Sequence, residues 1–169
     1  MACIDITDDF HLRLGRVAHI SAQLDFNVGL ALRWLGSYCG VDTSEYLNVK
    51  SHQLASRINK LEELVKISFE NAPSSTFKDF NDWFERARNI KSIRNNYIHA
   101  RWGINPMRDD VERYVNFVPL NWNMNPDQVL PETTLTFKEF DLQIAEFKEV
   151  AFSFYKIFEK HSIHAKIIT

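Results

Sequence analysis

The stretch TFKEFDLQIAEFKEVAFSFYKIF (136–158) decides the fold, because it carries both a helix start and a long apolar seam. Thr136 and Glu139 have the spacing of a capping box, in which each side chain bonds the backbone N–H of the other residue. Leu135 and Phe140 stand where a hydrophobic staple would hold the same turn. The apolar residues then recur in steps of four and three, as in a bundle core: Phe140, Ile144, Phe147, Ala151, Phe154 and Phe158.

Residues 9–38 predict a long first helix with two apolar stripes. One stripe is made of Leu14, Val17, Leu24, Val28, Ala31 and Leu35. The other stripe, on a different face, is Phe26, Leu30 and Trp34. We expect one stripe to face the bundle core and the other a partner subunit, because each apolar face of a helix needs cover. Gly40 is expected to end the helix.

Two further helices are predicted at 49–71 and 76–100. The buried stripe of the former is Leu54, Ile58, Leu61, Val65 and Phe69, and its solvent side is mostly Arg57, Lys60, Glu62 and Glu63. Thr76 and Asp79 suggest a capping box at the start of the latter. Tyr97 falls on the same stripe as Ile90 and Ile93, so we expect it in the core.

The helical pattern vanishes between Gly103 and Thr136. Residues 114–118 predict a short strand, a return strand is expected at 130–135, and Pro119, Pro126 and Pro131 forbid a helix in this region. The sequence therefore predicts an all-α fold: a four-helix bundle with a short irregular or β-hairpin insert, at about 103–135, between helices three and four. One domain is expected over 1–169.

Composition narrows the classes of function. The first residues lack the basic and apolar regions of a signal peptide, and polar residues interrupt the apolar stretch 17–35, so no membrane span is expected. Cys3 and Cys39 fit free thiols in a reducing compartment, which favours the cytoplasm. Only His161 and His164 have metal-ligand spacing, near an end of the chain that is expected to fray, so we expect no metal and no cofactor.

Positive charge is concentrated in one strip. The net charge is −2, yet residues 86–108 contain no Asp or Glu and six basic residues: Arg86, Arg88, Lys91, Arg94, Arg101 and Arg108. A solvated helix face is the ordinary interpretation. The alternative is a local, salt-sensitive surface for phosphates, which would assign RNA binding to Arg86, Arg88, Lys91 and Arg101.

Within this strip, Arg94-Asn95-Asn96-Tyr97-Ile98-His99 closes the third predicted helix. An Arg–His pair at such a spacing is common by chance, and Arg13 with His19 is another example. Two features single out Arg94 and His99: a polar Asn follows the Arg, and the helix end lets the backbone splay and admits solvent. The alternative is that Arg94 is an ordinary surface residue and His99 a helix C-cap.

The same residues resemble the signature of the HEPN family, an Arg followed four to six residues later by His, with a polar residue after the Arg. His99-Ala100-Arg101-Trp102 is similar to the small and aromatic continuation in many members. The bundle with a following helix also resembles the family. The resemblance implies a metal-independent RNA endonuclease, active as a homodimer, of the kind found in toxin–antitoxin pairs, phage defence or stress responses. It assigns catalysis to Arg94, Asn95 and His99.

The implied chemistry suits these residue types. His99 could act as base or acid near neutral pH, Arg94 could stabilise the phosphorane, and Asn95 could orient either group. Asp25 could assist from the first helix, although a solvated Asp is the simpler interpretation. Positions five apart lie about 140° apart on a straight helix. Arg94 and His99 should therefore share a face only if the helix end unwinds, or a second copy should complete the cleft.

The sequence leaves alternatives for the regulation of the chain and for its function. HEPN toxins that are modified by a partner tend to have Tyr two residues after the His, whereas this chain has Arg101 there. That difference weakens the expectation of an antitoxin that acts by tyrosine modification, while leaving other antitoxins or regulatory proteins open. The alternative function is a non-catalytic HEPN-like module that binds a protein, a nucleotide or RNA.

Overall fold

A computed structural model describes residues 6–48, 53–104, 114–118 and 132–165 of the chain. Four long helices carry the fold: α1 (Ile6–Cys39), α3 (Leu54–Ser68), α4 (Ser74–Ile98) and α5 (Phe137–His161). A short helix, α2 (Ser44–Leu47), precedes α3, and a 3-10 turn (Ser162–His164) follows α5. α1 packs against α3, α4 and α5. The predicted bundle of four main helices is thus present.

The start of α5 is confirmed in detail. The Thr136 hydroxyl accepts a bond from the Glu139 N–H at 3.1 Å, and the Glu139 carboxylate accepts one from the Thr136 N–H at 2.8 Å. Leu135 and Phe140 are both buried, as the staple requires. Of the predicted seam, every residue is buried except Ile144, which is partly exposed.

The predicted capping box at the start of α4 is wrong. α4 begins at Ser74 with Pro73 as its N-cap, and no side chain caps it. Thr76 is fully buried, and its hydroxyl lies 3.1 Å from His161 Nδ1. Asp79 contacts the other ring nitrogen of His161 at 2.8 Å. Both residues are therefore used to join the start of α4 to the end of α5.

The second predicted helix is shorter than expected within the described residues. Its predicted start, 49–53, lies partly outside the described residues, and α3 begins at Leu54 and ends at Ser68.

The small helix α2 was not predicted. The loop before it passes close to α1, where a Cβ on Gly36 would lie 2.6 Å from Thr43 Cγ2. Gly40 ends α1 as expected, with a φ of 66° that favours glycine.

The insert is a three-stranded antiparallel sheet rather than a hairpin. Its strands are β1 (Arg101–Ile104), β2 (Tyr114–Val118) and β3 (Thr133–Thr136), in that order across the sheet. Trp102 lies opposite Phe117, and Val115 lies opposite Leu135. The strand at 114–118 was predicted with its observed bounds, whereas β1 was missed. β1 starts two residues after His99, so the sheet fixes where α4 must end.

Candidate functional site

A cleft of about 530 Å³ opens between α1, the start of α3 and the second half of α4. Four of the residues expected to function line it: Lys91, Arg94, Asn95 and His99. The remaining lining residues are Ala18, Ser21, Ala22, Asp25, Gln53, Leu54 and Ile90. Small side chains on α1 leave the space that the basic residues of α4 face. The structure thus brings the three proposed catalytic residues to one cavity of a single chain.

The end of α4 explains how Arg94 and His99 come to share this cleft. Ile98 is the last helical residue, and His99 is the C-cap with φ −104° and ψ 5°. The His99 N–H still donates to the Asn95 carbonyl at 3.1 Å, so His99 lies one helical turn beyond Asn95, and the cavity is wide enough to be lined by Arg94, Asn95 and His99 together. A second copy is therefore not needed to bring Arg94 and His99 together.

Buried neighbours hold this helix end in place. Tyr97 is buried, as expected, and its hydroxyl donates to Gln143 of α5. The Trp102 indole donates to the Tyr97 carbonyl at 2.8 Å, and the two rings pack edge to face with centroids 5.4 Å apart. Burial raises the pKa of Tyr97 to about 12, so its hydroxyl stays protonated at neutral pH. Tyr97 and Trp102 anchor His99 from both sides along the chain.

Arg94 is oriented by its neighbour in sequence. Arg94 Nη1 donates to Asn95 Oδ1 at 2.9 Å. Among the described residues, neither Arg94 nor Lys91 forms an ion pair with a carboxylate. Two cations without bound counter-charges on one cleft favour an anionic ligand such as a phosphate.

Two residues of the basic strip, Arg86 and Arg88, are paired with carboxylates, contrary to the sequence expectation, and Arg108 lies outside the described residues. Arg86 donates to both carboxylate oxygens of Glu146 at 2.6 and 2.8 Å and also contacts Glu149. Arg88 pairs with Glu62. The Arg86 hydrogen bonds lower the pKa of Glu146, which keeps that carboxylate charged. The acids come from α3 and α5, so the sequence of the strip alone could not show them.

Asp25 lies on the cleft and pairs with Arg57, an arginine that the sequence analysis placed on the solvent side of its helix. Asp25 Oδ1 accepts a bond from Arg57 Nη1 at 2.7 Å. Arg57 was expected in solvent but is 5% exposed, and its Nε donates to the Tyr46 carbonyl at 2.8 Å. The sequence held a signal for the burial of Arg57, since Arg57 stands three residues after Leu54 and four before Leu61, on the side of the apolar stripe. The cleft therefore has a carboxylate on its α1 side, opposite the cations of α4.

The other Arg–His pair does not form a comparable site. Arg13 Nη2 is bound to Asp141 at 2.8 Å, and its guanidinium lies 4.4 Å from the centre of the Phe137 ring. His19 is exposed on α1 and does not line the cleft. Arg101 also lies outside the cleft lining, exposed on β1. Context, rather than spacing, separates the two pairs.

Both ring nitrogens of His161 are taken by Thr76 and Asp79. No group of three or more His, Cys, Asp or Glu residues that could hold a metal ion occurs in the described part of the chain.

No helix among the described residues is long and apolar enough to cross a membrane.

Comparison with known proteins adds no assignment: no protein-family model, curated protein or solved structure matches this chain. What is established is a mostly helical fold with a small antiparallel sheet and a polar cleft that contains Arg94, Asn95 and His99.

Proposed function

We propose that this chain is a metal-independent RNA endonuclease of HEPN type, with the cleft between α1 and α4 as its active site. One observation carries the proposal: Arg94, Asn95 and His99 line a single cavity together with Lys91. The cavity thus gathers a titratable imidazole and two cations that no described carboxylate neutralises. These are the groups that cleavage by an RNA 2′-hydroxyl requires.

In the proposed reaction, the 2′-oxygen attacks the adjacent phosphorus while the bond from phosphorus to the 5′-oxygen breaks. The 2′-hydroxyl loses its proton to a base, and the leaving 5′-oxygen receives one from an acid. The products are a 2′,3′-cyclic phosphate and a 5′-hydroxyl. Arg94, held by Asn95, stabilises the charge on the phosphorane oxygens, and Lys91 binds a neighbouring phosphate.

The two proton transfers need two groups. His99 supplies one, because imidazole exchanges protons near neutral pH. Asp25 is the only carboxylate among the described residues that line the cleft, so within one chain it is the candidate for the other. In a homodimer with a shared cleft, His99 of a second copy could take that part instead.

A cell that makes such a nuclease must restrain it. We therefore place the activity in a toxin–antitoxin, defence or stress setting, with RNA as the substrate and a separate regulatory protein as the inhibitor or trigger.

A specific observation favours the second candidate, a non-catalytic module that binds RNA or a nucleotide. The side chain of His99 is exposed and makes no hydrogen bond with any described residue. A catalytic histidine is usually oriented through its second ring nitrogen. If the chain is a nuclease, bound RNA must therefore orient the His99 ring. A binding module needs only Lys91 and Arg94 to hold the phosphates, and no oriented histidine.

The test is RNA cleavage in EDTA by the wild type and by His99→Ala. We expect the wild type to leave cyclic-phosphate ends, and His99→Ala to be slower by at least about a hundredfold, the usual contribution of general acid–base catalysis. His164→Ala is the matched control, because His164 is exposed beyond α5 and outside the cleft. It should cleave like the wild type.

Wild-type protein that binds RNA through Arg94 but does not cut it would reject the nuclease and support the binding module. Cleavage that survives His99→Ala, or that EDTA abolishes, would reject the mechanism given above.

A further inference from the structure

α1 and α5 share an outer face that leaves large apolar side chains in solvent. Phe26 is 67% exposed, Leu30 and Trp34 are each 42% exposed, and Phe152 of α5 is 45% exposed. Phe26, Leu30 and Trp34 are the second stripe predicted from the sequence, and the core covers it only in part, since Trp34 packs edge to face on Phe158 with ring centroids 4.4 Å apart. A grouped apolar surface of this kind typically marks a place where another molecule binds.

This outer face has two shallow cavities. A cavity of about 740 Å³ lies between the first half of α1 and the middle of α5, where Leu12 and Phe152 line it. A second cavity of about 540 Å³ lies further along, lined by Leu30, Trp34 and Tyr155. The two cavities follow one another along α1, from His11 to Ser37, with the exposed Phe26 between them in the sequence, and we call this row the groove. At 1.5 Å per residue, the groove is about 39 Å long.

The spacing along α1 fits a helix as the occupant. One row among the lining residues of α1, completed by Phe26, recurs in steps of four and three: Leu12, Arg16, His19, Gln23, Phe26, Leu30, Arg33 and Ser37. Such a heptad-like row is the surface against which a second helix packs its own knobs. Several positions in the row are polar, including Arg16 and Gln23, which suits a partner that binds and dissociates rather than a permanent one.

The charge of the groove indicates the chemistry of the partner. Arg16 and Lys148 line the larger cavity, and Arg33 lines the smaller one. His11 and His19 add positive charge when protonated. No Asp or Glu lines either cavity. In a chain of net charge −2, this local excess of cations complements an acidic surface.

We propose that the groove between α1 and α5 binds an acidic amphipathic helix from a different protein. The apolar stripe of the partner helix would cover Leu12, Phe26, Leu30 and Phe152. The carboxylates that flank this stripe would pair with Arg16, Arg33 and Lys148. A second copy of this chain fits less well, because it would bring basic residues against basic residues.

The groove is separate from the cleft that carries Arg94 and His99. Ala18, on the cleft, and Leu30, in the groove, are twelve residues apart on α1, which places them about 120° apart around the helix axis. The inference is thus independent of the chemistry proposed for the cleft.

Two synthetic helical peptides of about 18 residues provide the probe, long enough to cover about 27 Å of the groove. Both carry Leu at heptad spacing; one has Glu at the flanking positions and its twin has Lys. By fluorescence anisotropy at low salt, the acidic peptide should bind at least about tenfold more tightly than the basic one. Its affinity should fall as NaCl is added.

Matched variants locate the binding. Phe152→Ser should weaken acidic-peptide binding about tenfold, because it removes a large apolar contact. Leu142→Ser is the control, since Leu142 is 63% exposed on the same helix but lines neither cavity. It should leave affinity unchanged. Lys148→Glu should favour the basic peptide relative to the acidic one.

The proposal is overturned if neither peptide binds, if both bind equally, or if Leu142→Ser weakens binding as much as Phe152→Ser. It is also overturned if light scattering shows a wild-type dimer that Phe152→Ser makes monomeric, since a second copy then occupies the groove. Sedimentation with phosphatidylserine vesicles that depends on Phe152, without peptide binding, would instead identify a membrane surface.

Discussion

At the scale of single residues, burial separates arginines that the sequence presents alike. Arg57 is 5% exposed and bonds Asp25 and the Tyr46 carbonyl, whereas Arg88 lies at the surface and bonds Glu62. Removing the buried Arg57 guanidinium is costly, because it breaks two hydrogen bonds at once, to Asp25 and to the Tyr46 carbonyl. An exposed pair is worth little, because water and salt screen it.

Arg57→Met should therefore lower the free energy of unfolding by about 2 kcal/mol, since it removes the hydrogen bond to the Tyr46 carbonyl and the ion pair with Asp25. Arg88→Met, the matched control, should cost less than about 1 kcal/mol. Urea denaturation of the two variants and the wild type measures both values. Equal losses would mean that the Asp25–Arg57 pair contributes no more than a surface ion pair.

The same contrast shows what the sequence could and could not predict about the site. Arg94 and His99 were found from their local context, and the structure places both on one cleft. The pairing of Arg86 with Glu146 and the burial of Arg57 were missed, because each depends on a helix far away in sequence. Local signals predict which groups are present, whereas packing decides which charges are neutralised.

At the scale of elements, the ends of α4 are fixed by contacts outside the helix. Its start is tied to the end of α5 through Thr76, Asp79 and His161. Its end is tied to β1 through Trp102 and to α5 through Tyr97. The capping box at Thr136 was predictable because all its parts lie within four residues. Thr76 and Asp79 have the same spacing but bind residues more than eighty positions away.

Asp79 should make stability depend on pH. The hydrogen bond from Lys160, and after it that from His161, lowers the pKa of Asp79 below its usual value. A carboxyl whose pKa is lower in the folded state stabilises the fold above the pKa it has when unfolded. That stabilisation is lost as the pH falls through the folded pKa.

Asp79→Asn should accordingly cost about 1 kcal/mol at pH 7, with the difference from the wild type shrinking below about pH 4. Glu85→Gln serves as the control, because Glu85 is exposed on the same helix and forms no ion pair with a described residue. Thermal denaturation at several pH values measures both. A difference for Asp79→Asn that stays constant down to pH 3 would contradict the assignment.

At the scale of the whole molecule, the question is whether one chain or two make a complete cleft. The sequence favoured two, because Arg94 and His99 could not share a face of a regular helix. In the structure both residues line one cavity of a single chain, which removes that requirement. A homodimer remains part of the proposed function, but it would now serve to supply a second acid or base rather than to join Arg94 with His99.

Mixing two inactive variants distinguishes these arrangements. If each chain has a complete cleft, Arg94→Ala and His99→Ala mixed after unfolding and refolding together should remain as inactive as either variant alone, because every cleft still lacks one group. If a dimer shares its clefts, about half of the mixed molecules pair one variant with the other. Some of their clefts would then join an intact Arg94 to an intact His99, and RNA cleavage should return.

We expect no rescue, because the structure places Arg94 and His99 of one chain on one cleft. The mixture of wild type with His99→Ala, refolded in the same way, shows that refolding itself preserves activity. Light scattering on each sample shows whether dimers form. Rescue in samples that contain dimers would mean that the second copy provides one of the two residues, and that the cleft within one chain is only half of the active site.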